Sequence, residues 1–253
     1  DGNACPETIT RTYSVTDACG NTINVVQLII IGDPQPPTGT APADIAVECI
    51  GDVPAADPTL IVDEADNNGV PTVTHLSDVS DGNTCPEVIT RTYRITDACG
   101  NVTDVTQLIT VNDVTAPVFA AAPANITVEC VGDVPAMTNL AYTDNCDPNG
   151  SVAGTDGALV GGPCGGTITR TWTYTDACGN VATATQTITV DDTTDPVFAA
   201  APADITVECV GDVPAMTNLA WTDNCDGAGN VAGTDGALVG GSCGGTITRT
   251  WTY

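Results

Sequence analysis

The stretch C-G-G-T-I-T-R-T-W-T-Y-T-D-A-C-G-N, Cys164–Asn180, decides the fold. It returns at Cys5–Asn21 and Cys85–Asn101 as C-P-E-x-I-T-R-T-Y-x-x-T-D-A-C-G-N, and begins again at Cys243. Within it, Thr167–Thr175 alternates strictly: Ile168, Arg170, Trp172 and Tyr174 share one face, and five Thr share the other. Period two with β-branched residues marks a half-buried strand. D-A-C-G-N then supplies Asp, Gly and Asn for a tight turn. After it, Val181–Val190 alternates again, with Ala182, Ala184, Gln186, Ile188 and Val190 on one face.

Working outward, the motif exposes a period. Cys19, Cys99 and Cys178 lie 80 and 79 residues apart, and Thr115–Tyr174 differs from Thr194–Tyr253 at only seven of sixty positions. Fixed-period self-similarity means a tandem array. The expected organisation is two complete repeats, 34–113 and 114–192, flanked by partial repeats at 1–33 and 193–253. A first residue other than Met and an end inside a strand are expected of a piece of a longer array. Asn125–Cys130 reads as a further strand, and turn signals follow every 8–12 residues. The expected fold is all-β: immunoglobulin-like antiparallel β-sandwich modules of about 80 residues, arranged end to end as a rod. Junctions fall at Asp33–Pro37, Asn112–Pro117 and Asp191–Pro196, where Pro stiffens short linkers.

Composition removes several functions. The 253 residues carry 32 acidic side chains against five Arg and no Lys, a net charge of −27. Phosphate backbones need a basic footprint, so nucleic acid is excluded as a partner, and anionic lipid is disfavoured. No apolar run reaches the length of a spanning helix, so no membrane insertion is expected. Without Lys, isopeptide cross-links are impossible. Twelve Cys at fixed offsets, with no C-x-x-C and a single His, read as disulfides rather than zinc ligands. Disulfides on this scale imply an extracellular setting.

Geometry constrains the pairing. Cys164 and Cys178 bracket a strand of roughly 30 Å, whereas bridged Cα atoms lie within about 7 Å. In a rod, Cys130 and Cys164 lie at the top of a repeat, and Cys146 and Cys178 at the bottom. The expected bridges are therefore Cys130–Cys164 and Cys146–Cys178, with Cys49–Cys85 and Cys209–Cys243 as equivalents of the first. Cys5 and Cys19 would pair before the sequence, and Cys225 beyond it. Asn68 stands where Cys146 would be, which leaves Cys99 as an expected free thiol.

The D-x-T-x-P-V-F opening, the I-T-V-E-C strand, T-D-N-C-D, and T-x-T-Y-T-D-A-C-G-N-x-A-T-x-T-Q-T-I-T-V together resemble bacterial hyalin-repeat (HYR-like) modules. The likeness covers essentially the whole chain. It implies an immunoglobulin-like fold and a role in adhesion, or as a stalk or filament, within giant surface proteins of Bacteroidota exported by type IX secretion. It implies no catalytic residue.

Acidic turns are the one constellation with chemistry. The linker leaving one repeat should meet the bottom turns of the next, so Asn112 and Asp113 would face Asp144, Asn145, Asp147, Asp176 and Asn180. Asp191, Asp192 and Asp195 would likewise face Asp223, Asn224 and Asp226. Converging oxygen ligands suit Ca²⁺, which takes 6–8 at 2.3–2.6 Å. The competing reading is turn propensity and solubility.

Arg11, Arg91, Arg170 and Arg249 occupy one equivalent position, which fits either a ligand contact or a guanidinium paired with an acid along the sheet. Glu129 matches Arg170 in height but alternates to the opposite face. Trp172, Trp251, Trp221 and Tyr174 suit a core better than a sugar platform. His75 lacks a nucleophile partner set, so no catalytic residue is expected. Asn101 and Asn125 open N-x-T sequons, and the Thr faces are ordinary for an exposed sheet.

The expected function is a structural or adhesive stalk, with neighbouring repeats of the same chain as the first partners. A homo-oligomer or lateral bundle, and surface polysaccharide or other cells engaged through a tip, would be the others. Glycan-binding repeats form the second reading, and the accessory region of an enzyme the third.

Overall fold

A computed structural model describes residues 5–162, 165–241 and 244–253. All described elements are β-strands or single 3-10 turns. The chain divides into two compact units whose boundary does not follow the 80-residue period. Unit 1 holds Asp1–Val118 together with two turns of the third repeat, Thr143–Asn149 and Thr175–Ala182. Unit 2 holds the remainder.

In unit 1, the second repeat is built on a four-stranded sheet in the order Ile45–Val47, Val102–Val111, Glu87–Thr96, Thr72–Ser80. The central pair is antiparallel, with Tyr93 opposite Val105 and Arg91 opposite Gln107. Ile45–Val47 joins the edge in parallel, opposite Ile109–Val111. That parallel edge is a departure from the purely antiparallel expectation. It arises because the strand enters the repeat in the same direction as the strand that leaves it.

Strict alternation is obeyed. Along Glu87–Thr96, Ile89, Arg91, Tyr93 and Ile95 are buried, and the residues between them are half-exposed. Two apolar clusters result: Ile61 with Tyr93 and Ile95, and Ile89 with Ile109 and Val111. A polar rung separates them. Buried Arg91 forks onto Asp78 through Nε and Nη2, both at 2.9 Å, and donates from Nη2 to the Pro54 carbonyl. Buried Gln107 donates to the Ala43 carbonyl at 2.6 Å.

Residues 5–33 form a two-stranded hairpin, Glu7–Thr16 with Thr22–Ile31. Among the described residues it has no facing sheet. Tyr13, the counterpart of fully buried Tyr93, is therefore half exposed.

The third repeat, most of it in unit 2, has two sheets. One runs Gly150–Ala153, Asn139–Thr143, Val118–Phe119, and the other runs Thr155–Asp156, Gly165–Thr175, Val181–Asp191, Ile126–Val128. Val160–Gly162 also pairs with Gly165–Thr175, through Val160 opposite Thr167. Gly161 and Gly166 face each other so closely that a Cβ on Gly161 would lie against the Gly165 carbonyl and the Gly166 Cα. This explains the Gly-rich run, whose strand character its composition conceals. Trp172 is fully buried and donates from Nε1 to the Thr138 carbonyl at 3.0 Å. Trp221 is also buried. Tyr174 stacks on Tyr142 at 3.7 Å and Tyr253 on Trp221 at 3.7 Å, so these aromatics are spent on the protein itself.

Three of the four recurring Arg share the fork described for Arg91, while Arg11, in the hairpin, donates to the Tyr13 hydroxyl instead. Arg170 forks onto Asp156 at 2.6 and 2.8 Å and donates to the Pro135 carbonyl; Arg249 does the same with Asp235 and Pro214. The acid partner is thus Asp156, not Glu129. Glu129 alternates away, as its position on the strand requires, and accepts instead from the Thr193 N–H and from the hydroxyls of Thr193 and Thr194.

Arg170→Ala should lower the stability of the third repeat by about 2 kcal/mol, because it strands Asp156 and removes the guanidinium donor of the Pro135 carbonyl. Calorimetry of the folded chain reads this directly, and Arg170→Lys, which lacks the fork, should rescue only part. The hydrogen bond from Arg170 holds the Asp156 carboxyl below its ordinary 3.8, against an opposing push from burial. A carboxyl lowered by folding contributes fully above its unfolded value and is lost as pH falls through the folded one. Stability from this pair should therefore be flat at neutral pH and decline only below about pH 4. Arg170→Ala should remove that part of the acid limb.

Candidate functional site: the acidic, disulfide-bridged seams

The seam between the second and third repeats is built from four sequence elements: the end of the E-C strand, the C-terminal linker, the D-N-C-D turn and the D-A-C-G-N turn. In unit 1, Cys49 is bonded to Cys146 and Cys85 to Cys178, with Cα–Cα distances of 5.1 and 5.2 Å. Cys5 is bonded to Cys99 in the same unit. In unit 2, Cys130 is bonded to Cys225.

All four bridges join one repeat to the next. The pairings expected from the sequence, Cys49–Cys85, Cys130–Cys164 and Cys146–Cys178, are therefore overturned. Cys99 is not a free thiol, and neither Cys5 nor Cys225 looks outside the sequence for a partner. The assigned heights hold: Cys49 and Cys85 lie at one end of their repeat, Cys146 and Cys178 at the other end of theirs. What differs is the direction of reach, because the bottom turns of one repeat lie against the top of the preceding one. Cys164 and Cys243 fall outside the described residues, and Cys19 and Cys209 are exposed and unbonded among them.

The same polar clasp closes successive seams. Glu48 accepts from the Thr115 hydroxyl and from Asn145 Nδ2, at 2.6 and 2.9 Å. Glu129 holds Thr193 and Thr194 in the equivalent way. Asn145 Nδ2 reaches the Cys49 sulfur, and Asn224 Nδ2 the Cys130 sulfur, both at 3.6 Å. Asn180 Nδ2 donates to the Asp113 carbonyl and Asn101 Nδ2 to the Asp33 carbonyl, tying the D-A-C-G-N turn to the linker. Asn101 is thereby committed to the seam, and Asn125 Oδ1 accepts from the Thr187 N–H. Both sequon side chains serve the fold.

Within this frame the acids converge. Asp113, Asp144 and Asp176 each bring a carboxylate oxygen within 4.8 Å of the others, and so do Asp33, Asp66 and Asp97. In each trio the linker, the turn at Asp144 (D-N-C-D) or Asp66 (D-N-N), and the D-A-C-G-N turn contribute one Asp each. Asp113 and Asp176 are 5% and 7% exposed, and Asp97 is 8% exposed. At that separation each pair of carboxylates repels by roughly 3 kcal/mol at the effective dielectric of a protein surface.

The turns use part of the acid capacity. Asp144 Oδ1 accepts from the N–H groups of Cys146 and Asp147, and Asp113 Oδ1 accepts from Thr115 N–H. Asp144 Oδ2 and Asp33 Oδ2 are sealed from solvent and accept nothing. Asp176 is pushed up by burial, but hydrogen bonds from Asn180, Cys178 and Gly179 outweigh this and hold it below its ordinary value. Asp97 has the same balance through Asn101, Cys99 and Gly100. Both are anions.

The other expected ligands behave differently. Asn145 acts as an amide donor, and Asp147 accepts from the Ala177 N–H, linking the two turns. Asp191 and Asp195 are exposed and outside any cluster. Asp226 accepts from the Tyr253 hydroxyl. Asp192 and Asp223 do approach each other, but the third group there is the Cys225 sulfur, already spent in a disulfide. The trio Asp33, Asp66 and Asp97 was not anticipated as a cation site. Shifts of 80 residues from Asp113 and 79 from Asp176 point straight to Asp33 and Asp97. His75 contacts Asp78 at 2.9 Å, edge-on to Tyr93, as part of the Arg91 rung.

The profile of the HYR-like domain with 4 cysteines matches residues 37–111 and again 118–190. No curated protein matches the chain.

Proposed function

We propose, from the premise that this chain belongs to the family of HYR-like domains with 4 cysteines, that its repeats are a covalently interlocked extracellular spacer. HYR-like repeats are adhesion-type modules rather than an enzyme family, and four disulfides point to an extracellular protein. No described helix is long and apolar enough to cross a membrane.

One observation carries the spacer reading: all four described disulfides cross seams and none lies within a repeat. A module selected for its own stability would staple itself. A module selected to transmit load staples its neighbour. The near-identity of the third and fourth repeats agrees, because lengthening a stalk needs copies. The reading extends to a giant surface protein of Bacteroidota exported by type IX secretion, supported by the motif resemblance, with an adhesive tip elsewhere on the protein. Lateral bundling of a chain with net charge −27 would need counterions.

A glycan array together with pull-down on cell-surface polysaccharide tests this. The oxidised chain should bind no glycan above background. Saturable binding that is lost on mutation of an exposed repeat face would make the repeats themselves the adhesive element.

A further inference from the structure

The geometry points to a hard divalent cation, with Ca²⁺ as the best match, held at each complete seam by one linker Asp and two turn Asp: Asp113, Asp144 and Asp176 at one, Asp33, Asp66 and Asp97 at the other. Proximity of acids alone would not establish a site, but three further observations do.

First, the carboxylates are desolvated rather than displayed. Asp113, Asp176 and Asp97 are all more than nine-tenths buried. Buried like charges disfavour the folded state unless a counter-charge joins them. Second, a sealed carboxylate oxygen in each trio, Asp144 Oδ2 in one and Asp33 Oδ2 in the other, has no hydrogen-bond partner. Buried polar atoms are almost always satisfied, and an orphan calls for an ion or a water. Third, no side-chain cation is at hand. There is no Lys, and every Arg salt bridge among the described residues goes to Asp78, Asp104, Asp156 or Asp235 instead.

The donor set selects the metal class. All donors are carboxylate oxygens, with no His and no free thiolate, which excludes the soft and imidazole-loving metals. Ca²⁺ accepts irregular, oxygen-only shells of 6–8 ligands and mixes mono- and bidentate carboxylates with waters. Mg²⁺ demands near-ideal octahedral geometry. The hydrogen bonds in place leave these atoms free: Asp144 spends Oδ1 on its own turn and presents Oδ2, and Asp33 spends Oδ1 on Gln35 N–H. Because the three Asp come from linker and turns of different repeats, a bound ion adds an electrostatic tie where the disulfides already add covalent ones. This inference stands independently of whether the repeats act as a spacer.

The test is equilibrium dialysis of the full oxidised chain against Ca²⁺ in chelator-treated buffer at 150 mM KCl, where diffuse binding to surface acids is screened. One ion should bind saturably per complete cluster, with Mg²⁺ competing only in large excess. Asp144→Asn should abolish the ion at its seam, and so should Asp113→Asn; Asp33→Asn should abolish the other. Asp204→Asn, which removes an exposed acid outside the seams, should change neither. Asn keeps the Oδ1 acceptor that the turns use, and far-UV circular dichroism of each variant verifies the fold. Absence of saturable Ca²⁺ binding to the wild-type chain would overturn the inference. Binding with the same stoichiometry in folded Asp144→Asn and Asp113→Asn chains would overturn it equally.

Discussion

Pulled from its two ends under oxidising conditions, the chain should extend to only about 200 Å, against about 850 Å after reduction, at roughly 3.4 Å per residue. The reason is the route of the covalent path. Force entering at the N-terminus crosses from Cys5 to Cys99, follows the backbone to Cys130, crosses to Cys225 and leaves at Tyr253. Only roughly 60 residues lie on that path, at full extension. The segments between bridged cysteines are shunted and bear no load once the bridges are taut. The Cys49–Cys146 and Cys85–Cys178 bridges run alongside this path, so the seam in unit 1 does not depend on a single sulfur pair.

Single-molecule force spectroscopy with and without reductant measures the two contour lengths. Had the bridges closed within repeats, each would shunt only its own loop of a few tens of residues. The oxidised chain would then extend to about 500 Å, at roughly 3.4 Å per residue. An oxidised contour length near the reduced one would remove the mechanical basis of the proposed function.

Trp172→Ala should be the most damaging single substitution in the third repeat, costing about 3–5 kcal/mol. The indole is fully buried, and its Nε1 donates to the Thr138 carbonyl at 3.0 Å. It lies against Gly154, where an added Cβ would come within 2.9 Å of Cε2 and Nε1. Truncation leaves a cavity and removes the indole donor from the Thr138 carbonyl. For a module of this size the calorimetric midpoint should fall by at least about 10 °C. Exposed Val181→Ala, on the other face of the neighbouring strand, should shift it hardly at all. A Trp172→Ala midpoint close to wild type would show that the indole is not the keystone of its sheet pair. It would also reopen the aromatic residues as a binding surface.

The pattern legible in the sequence was that of single strands. Period two along Thr167–Thr175 and Val181–Val190 named the buried face correctly, residue by residue, because alternation is a local property of extended backbone. It also put Glu129 on the opposite face from Arg170, which weighed against the match in height. The true partner of Arg170, Asp156, lies in a Gly-rich run whose strand character depends on close backbone approach at Gly161 and Gly166. Composition cannot report that contact. The linker-to-turn convergence of Asp113, Asp144 and Asp176 was legible because three short elements with strong turn chemistry had to end at the same height. Asn145, Asp147, Asp191, Asp195 and Asp226 were not separable from them, since the sequence shows that an acid is near a seam but not which oxygen the turn consumes.

Sequence by itself determined the repeat, the all-β class, the buried face of the central strands and the end of the repeat at which the bridged cysteines lie. These follow from local periodicity and chain direction. The tertiary structure alone decided which cysteine meets which. Pairing across about 5 Å depends on how the bottom turns of one repeat seat on the top of the one before, and cysteines at the same height within a repeat are no closer in principle than those across a seam. Asn145 on Glu48 and Cys49, repeated by Asn224 on Cys130, fixes that seating. The covalent interlock, and the anionic clusters beside it, are consequences of that contact.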